Sequence, residues 1–194
     1  MLSIDLAEDC GWCILEFLPE PVMVKYVWPS GVVSQVKTRV VVRDSGTLNL
    51  HKDRKAATLQ DEALWLDSVR RFVTAFLLTH PVDGICYEFS PWLRGSAKTS
   101  TRGIMATYGL RSALLMALAD VKARRFWEVA PGDWQRPTIG TGKRKFQKSK
   151  SLAAAEQRLG FITERDHESD AALMGEWKLS QLAREAEVEK NGQE

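Results

Sequence analysis

The chain has 194 residues, of which 44% are hydrophobic and 27% charged, with a net charge of +2. That length accommodates one α/β domain with a full core, and no apolar run is long enough to cross a bilayer. Net charge this close to neutral carries no argument for nucleic acid, so any such function must come from local charge. The start, MLSIDLAEDC, lacks the basic leader and long apolar core of a signal peptide. Three cysteines, Cys10, Cys13 and Cys86, are an odd number that suits a reducing compartment, and the cytoplasm is the expected location. Cys10 and Cys13 form a C-x-x-C, but tetrahedral zinc needs a second pair of ligands at suitable spacing and the sequence has none. The two thiols read as small buried side chains.

MLSIDLA reads as a short buried strand, and Gly11 to Leu18 as a second one beyond a polar turn, with Pro19 and Pro21 ending it. The β-rich runs Val22–Val27 and Gly31–Val42 predict a third strand and an antiparallel meander, with a loop over Asp44 to Asp53. Lys55 to Thr79 carries apolar residues at helical spacing and stops before Pro81. VDGICY (82–87) is then a strand leading into Glu88, Phe89 to Ser100 a loop, and Thr101 to Asp120 a second helix. RFWEV (125–129) predicts a fifth strand, ended by Pro131–Gly132. The remainder reads as helical around Phe146–Leu159 and Glu168–Ala183, interrupted by the basic link Thr138–Lys143. The expected product is one domain over residues 1–183, a mixed five-stranded α/β sheet whose first three strands are antiparallel, flanked by helices. Residues 184–194 are expected to fray.

The carboxylates fall at telling places. Asp5 interrupts an apolar strand, where a lone buried charge is costly unless it is paired or holds a metal. Glu88 stands where VDGICY ends, the strand-end position at which α/β proteins place functional groups. In DHESDAALMGEW, His167 and Asp170 are three apart and Asp166 and Asp170 four apart, so either pair shares a helix face. Each has a bland explanation: a turn cap for Asp5, helix-dipole stabilisation for the last cluster. Together they supply the oxygen ligands that hard divalent cations require, at elements able to converge on one sheet end. Lys143 to Lys150 (KRKFQKSK) places five cations beside this acid-rich region; it reads as a solvated face or as a grip on phosphates.

These residues resemble the RuvC family of Holliday junction resolvases, within the ribonuclease H-like superfamily. The similarity rests on IDLAEDCGW around Asp5, ICYEFS around Glu88, and HESDAALMGEW with His167 and Asp170, and it spans roughly Leu2 to Trp177. Gly140–Thr141–Gly142 and the lysines after it are similar to the family's G-x-G segment. The first turn departs from the family's Asp-Pro-Gly type, and the overall look is closer to its divergent phage or prophage branch. The resemblance implies a ribonuclease H-like fold and a homodimer that nicks four-way DNA junctions symmetrically, leaving 5′ phosphates. It implies two Mg²⁺ ions, replaceable by Mn²⁺, on Asp5, Glu88 and Asp170, with His167 as a further ligand or water-orienting group and Asp166 as the alternative.

Candidate DNA contacts are Lys143, Arg144, Lys145, Lys148 and Lys150, with Lys148 and Lys150 expected nearest the scissile phosphate. The segment FSPWLRGSAKTSTR adds Trp92, Arg94, Lys98 and Arg102, a mixture that suits a DNA strand or an ordinary surface loop with Trp92 folded onto the core. Three rival functions remain: a nuclease for flaps or other branched DNA, a silent junction-binding module, and a kinase-like ATPase. The last needs a duplicated domain for which the chain is too short.

Overall fold

The computed structural model describes residues 1–6, 9–27, 31, 33–50, 58–89, 101–140 and 147–192, with the backbone alone for 59, 101–106 and 147. Among these residues, five strands, β1 (Leu2–Asp5), β2 (Asp9–Val27), β3 (Val33–Asn49), β4 (Ile85–Glu88) and β5 (Phe126–Val129), form one sheet in the order β3-β2-β1-β4-β5. β1 pairs antiparallel with β2 and parallel with β4, and β5 continues the parallel half, so the sheet is mixed as expected. Helices α1 (Leu59–Thr79) and α2 (Thr101–Asp120) cover one face. Helices α3 (Pro131–Ile139), α4 (Gln147–Leu159) and α5 (Asp166–Asn191) cover the other.

Strand alternation decides which side chains meet which layer. Leu2 and Ile4 of β1, with Ile85 and Tyr87 of β4, pack on Val69, Val73 and Leu77 of α1 and on Leu110, Leu114 and Leu118 of α2. Their neighbours point the other way. Cys86 and Val129 pack with Trp134, Leu173 and Met174, while Cys13 and Leu15 pack with Ala171 and Ala172. Gly175 belongs to the same contact, since a Cβ there would lie 2.5 Å from Leu15 and 2.9 Å from Ser3. By the same period of two, Asp5 and Glu88 are turned toward α3 and α5.

Three expectations are corrected. Pro19 and Pro21 do not end the second strand. The ladder breaks between Phe17, opposite Val40, and Val22, opposite Thr38, so residues without an N–H sit in an irregularity and pairing resumes beyond it. The stretch from Asp44 is strand as far as Asn49, because Asp9–Ile14 supplies its partners despite its polar sequence. Nor does the last helix end at Ala183. Residues 184–191 continue α5 as an exposed helix, in which alanine and charged helix formers extend a helix already anchored by packing.

Helix ends follow local chemistry. Thr58 caps α1 reciprocally with Asp61: the Asp61 N–H donates to Thr58 Oγ1 and the Thr58 N–H to Asp61 Oδ2, each at 3.1 Å. Pro131 opens α3 at a position where its missing N–H costs nothing, making it a helix start as well as a strand end. Among the described residues, no helix is long and apolar enough to cross a membrane.

Candidate active site

Asp5 and Glu88 end adjacent parallel strands, whose register pairs Ile4 with Tyr87. α5 starts beside them. His167, its second residue, places Nδ1 2.7 Å from Asp5 Oδ2, and Asp170 follows three residues on along the same helix. The close approach depends on Gly11, which faces Asp5 in the β1–β2 ladder: a Cβ there would lie 2.1 Å from the His167 carbonyl oxygen. Glu168 anchors the turn from behind. Though buried, it accepts from Thr47 Oγ1 at 2.9 Å and Thr163 Oγ1 at 3.0 Å, and it pairs with Arg165 at 3.4 Å.

The acids sit in a demanding electrostatic setting. Burial, reinforced by the charge of Asp5, pushes Glu88 up to about 8, against the opposing pull of its hydrogen bond from Trp134. Burial also raises Asp170 to about 6; the Ser151 bond opposes this while Asp5 and Asp166 add to it. His167 is raised chiefly by its bond to Asp5, so protonation gives an ion pair there. Asp166 behaves differently. Burial alone would raise it, but the bond from Lys148 Nζ at 2.6 Å and neighbouring positive charge hold it below the usual carboxylate range. The structure thus brings His167 to Asp5 and pairs Asp166 with Lys148.

Two contacts had no signal in the sequence. Trp134 on α3 donates its indole N–H to Glu88 Oε2 at 2.6 Å, and Ser151 on α4 donates to Asp170 Oδ1 while lying 2.9 Å from Ser169 Oγ. Ser169 in turn donates to the Asp166 carbonyl at 2.8 Å. A hydroxyl has one proton, so all three contacts in this series are satisfied together when a protonated Asp170 donates to Ser151 and Ser151 to Ser169. When Asp170 is ionised, Ser151 donates its hydrogen bond to that carboxylate instead.

Among the described residues, no group of three or more His, Cys, Asp or Glu side chains is gathered closely enough to hold a metal ion as it stands. Of the expected DNA contacts, Lys148 and Lys150 lie on the exposed first turn of α4, with Lys148 at the edge of the acidic cluster. Arg102 is placed by its backbone in the first turn of α2. Trp92, Arg94, Lys98, Lys143, Arg144 and Lys145 lie outside the described residues.

No protein-family model and no curated protein matches this sequence. Solved structures do. RuvC from Thermus thermophilus is similar over 96% of this chain and 97% of its own, at 10% identity and a TM-score of 0.63. T. thermophilus RuvC in complex with a Holliday junction substrate is similar over 95% and 96%, at 10% identity and a TM-score of 0.61. The yeast mitochondrial Holliday junction resolvase is similar over 91% of this chain and 75% of its own, at 14% identity and a TM-score of 0.53. Identities this low speak to architecture, and with the mixed sheet order β3-β2-β1-β4-β5 they show that this chain has the ribonuclease H-like fold of RuvC.

Proposed function

We propose that the protein is a metal-dependent, structure-specific endonuclease that resolves four-way DNA junctions by paired symmetric nicks, acting as a homodimer. One observation carries this reading: Asp5, Glu88 and Asp170 come from three different elements to one sheet end, close enough that Asp5 raises the pKa of both the others. Acids that raise one another's pKa across one sheet end repel, a cation that drew them closer would relieve that repulsion, and hard oxygen donors select Mg²⁺ or Mn²⁺. Asp5, Glu88 and Asp170 would hold the metal, with His167 as a nitrogen donor or an orienting group. Bound there, divalent ions would lower the pKa of a water nucleophile and stabilise the leaving 3′ oxygen, leaving a 5′ phosphate.

The chain's own residues supply the rest. His167 bonded to Asp5 is a proton carrier at the site's edge, and loss of that bond frees the Asp5 oxygen for other partners. Lys148, exposed and paired with Asp166, stands where it can exchange that carboxylate for a DNA phosphate. The junction-bound T. thermophilus structure, sharing this fold over nearly its whole length, supports branched DNA as the substrate class.

The test is cleavage of a labelled synthetic four-way junction in Mg²⁺ and in Mn²⁺, beside a flap and a linear duplex. Paired symmetric nicks on the junction alone, abolished in Asp5→Asn with junction binding retained, are expected. Equal cutting of flaps would overturn junction selectivity, tight binding without cutting would leave a binding module, and strong cleavage by Asp5→Asn would remove Asp5 from the chemistry.

A further inference from the structure

We infer that Trp134 and Ser151 are positioning residues for the acidic cluster, each donating a hydrogen bond to one carboxylate oxygen and so setting the orientation that Glu88 and Asp170 present at the sheet end they share with Asp5. The inference rests on the metal-site reading of that cluster. Its basis is geometric. The terminal torsion of a carboxylate side chain is soft, so burial alone does not choose its orientation. A donor fixed in the core does.

Trp134 is such a donor. It is fully buried, its ring is packed among Cys86, Val129, Ala155, Leu173 and Met174, and its N–H is spent on Glu88 Oε2 at 2.6 Å. An indole in that packing cannot turn its N–H elsewhere without leaving the core. Ser151 is 2% exposed and reaches Asp170 Oδ1 from α4, with Ser169 Oγ on its other side. Each bond takes one oxygen of its carboxylate and leaves the second oxygen outside that bond. Neutral donors are well matched to this role, because they restrain the acid without supplying a positive charge that would compete with a cation. Donors of this kind behind metal ligands change metal affinity by about 10–100-fold when removed.

The test uses the full chain and two variants, Trp134→Phe, which keeps an aromatic ring and removes the N–H, and Ser151→Ala. Mg²⁺ affinity is measured by titration calorimetry, with circular dichroism reporting the fold. The indole N–H resonance of Trp134 is followed by NMR in the wild type as Mg²⁺ is added. Both variants should bind Mg²⁺ about ten-fold or more weakly while folded, and the wild-type resonance should move with saturation. Cleavage by the variants should recover at excess Mg²⁺, which a merely structural defect would not do. If Trp134→Phe does not fold, Ser151→Ala and the wild-type resonance still decide. Wild-type affinity within two-fold in the folded variants, with an unmoved resonance, would overturn the positioning roles and leave the metal reading standing. Absence of Mg²⁺ binding by the wild type would overturn the metal reading itself, and the positioning roles with it.

Discussion

Replacing Gly11 by alanine perturbs the site at the point where two backbones come closest. The added Cβ would lie 2.1 Å from the His167 carbonyl oxygen, 2.2 Å from its carbonyl carbon and 2.7 Å from the Glu168 nitrogen. Nonbonded heavy atoms settle at about 3.5 Å, so relieving the 2.1 Å contact requires the first turn of α5 to withdraw from β2 by roughly 1.4 Å. The obstacle is backbone, with no side-chain torsion available to relieve it. Overpacking costs about 1–3 kcal/mol, and this site belongs at the upper end. For a chain of this size that corresponds to a fall in Tm of about 6–12 °C, at about 2–4 °C per kcal/mol. His167 rides on the displaced turn, and a misplacement near 1 Å costs on the order of 100-fold in rate. Calorimetric melting and junction cleavage read the two effects. Gly132→Ala is the control, because a Cβ there meets nothing within 4 Å. A Gly11→Ala protein that melts within about 1 °C of wild type would refute the reasoning, since Tm shifts of several degrees follow from losses of this size.

Metal-free protein should lose stability as pH rises from about 4 to 8, because folded Glu88 (about 8) and Asp170 (about 6) keep protons that the unfolded chain has released. Raised His167 acts with the same sign, its contribution being complete below the unfolded value and lost through the folded one. Urea midpoints at pH 5.5 and 8 measure this; Mg²⁺ should restore the loss at pH 8, and a flat or rising metal-free profile contradicts the electrostatic picture. Lys148→Ala should leave the urea midpoint almost unchanged, because the pair with Asp166 is exposed on the lysine side and screened by solvent. The same variant should lower the salt slope of junction binding by about 1; fluorescence anisotropy giving an unchanged slope would exclude a phosphate contact. Glu168→Ala strands the hydroxyls of Thr47 and Thr163 and should cost about 2–3 kcal/mol. A urea midpoint equivalent to less than about 0.5 kcal/mol, on the order of the scatter for neutral surface changes, counts against the anchoring role of Glu168.

Much of the site is legible in the sequence because its signal is local. An aspartate inside LSID, a glutamate ending ICYE and an acidic helix start each violate the apolar pattern around them, and strand periodicity turns Asp5 and Glu88 to one face. The strands around the prolines and beyond Asp44 are not legible in this way, because a ladder is satisfied by its partner strand, whose register a window of sequence does not contain. Helical continuation past Ala183 is hidden by polarity that resembles a fraying end, although Ala, Glu and Lys propagate a helix once packing has nucleated it.

By itself, then, the sequence determined the sheet-and-helix alternation, the strand-end acids and the choice of chemistry open to them, since these depend on residue type and short-range period. Only the tertiary structure decided that His167 meets Asp5 while Asp166 pairs with Lys148, and that Trp134 and Ser151 hold the other two acids. Glu88 and Trp134 are 46 residues apart. A hydrogen bond needs about 3 Å and a direction, and across such a separation both are set by how α3, α4 and α5 pack on the sheet.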